Sequence, residues 1–66
     1  QRSHIMVIKD IIADLESKHG KTIPIEEIIN EAKTRGRDES KIDEALERLK
    51  RSGDVFEPRR GHISRI

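Results

Sequence analysis

The chain predicts a mainly α-helical domain with a small β-hairpin, an α+β fold in the order helix, strand, helix, helix, strand, strand. Three observations predict it. Apolar residues recur at helical spacing in three separate stretches, each stretch stops near a glycine, and beyond Gly53 the period shortens to that of strands. With 66 residues and no Cys, the chain makes one small domain held by packing alone.

The first helix spans Ile5 to His19, where Val7, Ile8, Ile11, Ile12 and Leu15 form one stripe and Lys9, Asp10, Asp14, Glu16 and Lys18 fill the other face. Lys18, His19 and Gly20 form its stop signal, cations near the negative end of the dipole followed by a residue free to turn left-handed. Thr22 and Ile23 form a short strand or extended link, because Pro24 biases Ile23 away from helix and suits the first turn of the next one. Ile25, Ile28, Ile29 and Ala32 define the second helix, which opens with Glu26 and Glu27 and ends near Gly36.

Asp38 or Ser40 caps the third helix, Ser40 with Asp43 approximating a capping box. Its inner stripe is Ile42, Ala45, Leu46 and Leu49, and Gly53 ends it. Two extended segments, 54–57 and 62–66, then flank Pro58-Arg59-Arg60-Gly61 as a hairpin. Because an isolated hairpin is unstable in water, Val55, Phe56, Ile63 and Ile66 are expected to cover the helices, with Ile23 as a third strand. These demands describe a winged helix-turn-helix. Residues 1–5 read as a vector remnant, of which Gln1 to His4 are left out of the fold, and residues 6–66 as the single domain.

Composition narrows the function. Eleven Ile in periodic clusters, within 32% hydrophobic residues, separate the chain from disordered polyampholytes. Charged residues make up 41%, while Asn30 and Gln1 are the only side-chain amides, a bias typical of thermophilic proteins. No apolar run approaches the roughly 18 residues of a membrane span, so the chain reads as cytosolic. Fourteen Lys and Arg against 13 Asp and Glu leave a net charge of +1, so nucleic-acid binding would need local patches.

No catalytic pattern emerges. The carboxylates lie on solvated helix faces, and His4, His19 and His62 match no metal-ligand spacing. Gly20, Gly36, Gly53 and Gly61 are too far apart to form a phosphate loop. The segment is therefore expected to have no catalytic residue, metal or cofactor of its own.

Nucleic-acid contact is the remaining chemistry. In a helix-turn-helix the second helix of the motif enters the major groove. From Asp38 to Arg51 that helix carries four cations against five anions, and Asp43, Glu44 and Glu47 would meet phosphates unfavourably. The hairpin differs, with Arg59 and Arg60 at a mobile tip and His62 and Arg65 following. Lys41, Arg48, Arg51, Arg59, Arg60, His62 and Arg65 are thus the candidate contacts with DNA or a partner. DNA affinity should be weak and salt-sensitive, and base stacking is nearly absent because Phe56, the one aromatic, is assigned to the core.

The segment GDVFEPRRGHISRI, from Gly53 to Ile66, resembles the wing of the C-terminal winged-helix module of archaeal MCM replicative helicases. Upstream, IPIEEIINEAKTRG and SKIDEALERLKRSG are similar to the helix pair of that module, so the resemblance covers Val7 to Ile66. Arg60 stands where many relatives have proline, which leaves the tip more cationic and less rigid. The resemblance implies a regulatory segment of a hexameric, ATP-dependent DNA helicase, chromosome-associated in the cytoplasm, with ATP and Mg held by parts of the parent outside this segment. It implies that the module tunes ATP hydrolysis and unwinding through the ATPase domain of its own chain or through replication initiation factors; the sequence has no heptad seam, so the fragment is expected to be monomeric. Two other readings stand beside it: the DNA-binding domain of a transcription regulator, and a generic protein-interaction winged helix.

Overall fold

The computed structural model describes residues 4–66. Its elements are α1 (His4–His19), β1 (Thr22–Pro24), α2 (Ile25–Thr34), α3 (Glu39–Ser52), β2 (Val55–Phe56) and β3 (His62–Arg65). The chain is mainly helical, with three helices and a three-stranded antiparallel sheet ordered β1-β3-β2. Helix α1 packs against α2, α3 and β1.

The helical stripes become one core. Val7, Ile8, Ile11, Ile12 and Leu15 of α1 meet Ile28 and Ala32 of α2 and Ile42, Ala45, Leu46 and Leu49 of α3, and all are buried. From the sheet come Ile23, Val55 and Ile63, also buried, while Ile5, Ile25 and Ile29 pack against the rim of the cluster. Removing such side chains from water is worth about 1.5–3 kcal/mol each, which is what orders so short a chain.

Helix ends follow their backbone requirements. At the end of α2, Arg37 donates its amide to the Ala32 carbonyl at 2.9 Å and Gly36 to the Lys33 carbonyl at 2.9 Å. This Schellman pattern needs a left-handed residue, and Gly36 supplies it at φ +82°. Asp38, not Ser40, occupies the N-cap of α3. Ser40 lies inside the first turn and donates its hydroxyl to the Asp38 carboxylate at 2.6 Å, so the expected capping box does not form.

The α2 start is solved from a distance. Pro24 sits at its N-cap and offers no side-chain acceptor. The Ile25 amide instead donates to the Gly61 carbonyl in the hairpin turn, at 2.9 Å. Gly61, at φ +77°, donates its own amide to the Glu57 carboxylate at 2.9 Å, and Glu57 also reaches Lys50 of α3 at 3.4 Å. The turn expected to be mobile is therefore braced against α2 and α3.

The register of the sheet decides which side chains face the helices. Val55 pairs with Arg65 and Phe56 with Ser64; Thr22 lies on the other side of Ser64, and Ile23 beside Ile63. Val55 and Ile63 point inward and are buried, so alternation sends Phe56, His62 and Ser64 to the opposite face. Phe56 is 45% exposed and Ile66 81% exposed, which corrects the expectation that both cover the helices.

Helix α1 begins one residue earlier than expected. His4 and Ile5 belong to α1, Ile5 packs against the core, and the Arg37 guanidinium lies 3.5 Å from His4 Nδ1. These two residues are thus part of the fold, and the rest of the proposed remnant, residues 1–3, lies outside the described residues.

Candidate interaction surface

Helix α3 fixes Lys41, Arg48 and Arg51 on the exterior because their positions fall between those of the buried stripe. Lys41 and Arg48 line one depression with His4, Ile5, Glu44 and Ala45. Arg48 and Arg51 line a second with Ser40, Asp43, Glu44 and Glu47. Here both guanidiniums share a concave surface with three carboxylates. A phosphate approaching Arg48 or Arg51 meets those anions at the same time, so the Coulombic gain is largely cancelled.

Three further cations, Lys50, Lys33 and Arg35, are engaged by carboxylates. Lys50 sits 3.0 Å from Glu47, and its ammonium is raised above its ordinary pKa first by that hydrogen bond, with Glu57 adding to it. Lys33 of α2 pairs with Glu39 of α3 at 3.0 Å. Arg35 spans Asp14 at 2.9 Å and Glu31 at 3.1 Å, which holds its charge still more firmly, Asp14 contributing most.

The structure separates the hairpin residues into two groups. Arg65, at the far end of β3 from the turn, pairs with Glu16 of α1 at 2.6 Å, a hydrogen bond that raises its pKa further. It fastens the sheet to α1. Arg59, Arg60 and His62 stay together at the turn, where Arg59 Nη2 lies 3.5 Å from His62 Nε2 and His62 Nδ1 lies 3.0 Å from the Arg60 carbonyl. Neither arginine enters an ion pair among the described residues.

Glu57 makes this separation possible. Its carboxylate is held below the ordinary glutamate range, first by the Gly61 amide and then by Lys50. Drawn toward the turn backbone and α3, it leaves Arg59 and Arg60 without a direct carboxylate partner. Phe56, next in sequence, was missed by periodicity reasoning as a surface residue. Its pairing with Ser64 across the hairpin, which has no local signature, fixes that face.

Among the described residues, no helix is long and apolar enough to cross a membrane. No protein-family model matches the chain, and no curated protein is significantly similar to it.

Proposed function

We propose that this chain is a non-catalytic winged-helix module that regulates a replicative DNA helicase of the MCM type through protein contacts, with at most weak DNA binding at the wing. The element order and the β1-β3-β2 sheet are compatible with that module, α2 and α3 standing for its helix pair and β2–β3 for its wing. The kinship itself rests on the similarity of Gly53 to Ile66 to the family's wing. In the full helicase, ATP and Mg belong to the ATPase domain, and this module acts on that domain or on initiation factors as partners within a hexamer.

One observation favours regulation over DNA reading: Asp43, Glu44 and Glu47 share a groove with Arg48 and Arg51 on the helix that would enter DNA. Such a mixed surface suits a partner with charges of both signs better than a uniform polyanion. The test is deletion of residues 7–66 from the intact helicase, which is expected to change ATPase and unwinding rates. Unchanged rates of both would overturn the proposal.

A second reading keeps a specific observation in its favour. Lys41, Arg48 and Arg51 of α3 and Arg59 and Arg60 of the wing form no ion pairs among the described residues, as a transcription regulator's DNA contacts would require. Titration with duplex DNA at low and moderate salt separates the two. Specific binding with resonance shifts along α3 favours the regulator, and weak binding confined to the turn favours the helicase module.

A further inference from the structure

Phe56 is the only aromatic residue in the chain, and it lies on the face of the sheet turned away from the helices. Its cross-strand partner is Ser64, so His62 and Ile66 are its diagonal neighbours, at about 7–8 Å between Cα atoms in such a ladder. Ile66 continues the ladder, its amide donating to the Asp54 carbonyl at 3.2 Å. At the other end, His62 lies within 3.5 Å of the Arg59 guanidinium. That face therefore presents the exposed ring of Phe56, with the Arg59 guanidinium beside His62 at its turn end and the exposed Arg60 next to it in the turn.

The carboxylate nearest in sequence, Glu57, feels the charge of Arg60 but forms no ion pair with either arginine among the described residues. Glu57 is taken up by the Gly61 amide and by Lys50. What remains is an aromatic anchor flanked by free guanidiniums, the residue types that dominate binding energy at protein interfaces. Its charge complement is anionic, and its apolar centre requires an apolar side chain opposite.

We infer that the outward face of the hairpin, Phe56 with Arg59 and Arg60, docks an acidic peptide segment that sets an apolar side chain on Phe56 and carboxylates on the two guanidiniums. The peptide is favoured over a single nucleic-acid strand by the size of the cationic end. Two arginines neutralise only about two phosphates, too few for useful affinity at physiological salt. Two guanidiniums are enough to fix one acidic segment through bidentate pairs. The inference deepens the proposed regulatory role by naming the chemistry of the partner, and rests on that role for its place in the helicase.

The probe is a short fluorescein-labelled peptide of glutamates around one central leucine, titrated into the chain and followed by anisotropy and by amide resonance shifts. Expected are saturable binding and shifts at Phe56, Arg59 and Arg60, with affinity falling about tenfold in Phe56→Ala, the scale of an aromatic anchor. Arg59→Ala with Arg60→Ala should weaken binding comparably and flatten its salt dependence. Both variants alter exposed side chains, and an unchanged thermal melt verifies that the fold persists. Several outcomes overturn the inference: no saturable binding, equal binding by the lysine-for-glutamate peptide, unchanged affinity in Phe56→Ala, tighter binding of oligo-dT to the same face, or concentration-dependent self-association through Phe56 in sedimentation. In the full helicase, a rate change on deletion of the module but not in Phe56→Ala removes this docking site and leaves the regulatory role. Peptide binding without any rate change on deletion does the reverse.

Discussion

Helix α3 and the β2–β3 hairpin both carry unpaired arginines, yet they offer opposite surfaces. On α3, Arg48 and Arg51 share their groove with Asp43, Glu44 and Glu47. At the hairpin, the carboxylate of Glu57 is withdrawn into the turn by the Gly61 amide and Lys50. Counting charges along the sequence would not separate the two regions, since each mixes signs. What separates them is where backbone amides and neighbouring ammonium groups draw the carboxylates.

Both regions depend on equally buried inner faces, and the largest effects come from breaking those. Leu46 anchors α3 and Ile63 anchors the hairpin, each buried in the same cluster. Leu46→Ala and Ile63→Ala should each lower stability by about 2–5 kcal/mol, enough to unfold much of so small a domain. Urea denaturation measures this. If Ile63→Ala were nearly neutral while Leu46→Ala were not, the hairpin would be an appendage rather than part of the common core.

A smaller effect tests the turn. Gly61 has φ +77° with open space around the position a Cβ would take, so Gly61→Ala meets no steric obstacle beyond its backbone conformation. The left-handed geometry alone should lower stability by about 1–2 kcal/mol. Because the Gly61 carbonyl receives the Ile25 amide, hydrogen exchange at Ile25 should quicken in the same variant. Protection at Ile25 equal to that in the parent would show that the turn and α2 are not coupled.

Much of the architecture was legible in the sequence because it depends on periodicity and on glycine. The stripes of α1 and α3 were read residue for residue, and glycines at 20, 36, 53 and 61 all take the left-handed conformation that stop and turn signals demand. What stayed hidden depends on pairing between distant segments. Phe56 belongs to a two-residue strand, too short for hydrophobic alternation to set its phase; its pairing with Ser64 sets it instead. Arg65 is engaged by Glu16 from the opposite end of the chain, and the cap of α2 comes from Gly61. Neither link has a local signature. The candidate site was legible as a set of cations, but its division into engaged and free groups was not.

The comparison can also be inverted by charge. If the carboxylates of α3 weaken duplex binding, as the proposed function holds, Asp43→Lys with Glu44→Lys should tighten duplex binding at low salt by about tenfold and steepen its salt dependence by roughly two phosphate contacts. Anisotropy with labelled duplex at several salt concentrations measures both. No gain in affinity would mean that the carboxylates of α3 do not govern its affinity for duplex DNA.

The smallest effect isolates the carboxylate that sets the hairpin apart. Glu57→Gln keeps an oxygen able to accept from Gly61 but removes the charge that faces Lys50. Because the folded state holds the Glu57 pKa below its ordinary value of 4.5, ionised Glu57 stabilises the fold above that value, and the contribution fades as pH falls through the depressed pKa. Wild type should thus exceed Glu57→Gln modestly at neutral pH, and the gap should close in acid. Chemical denaturation across that range gives the comparison. A gap that stayed constant with pH would assign the role of Glu57 to its hydrogen bond alone, and the freedom of Arg59 and Arg60 would then not depend on its charge.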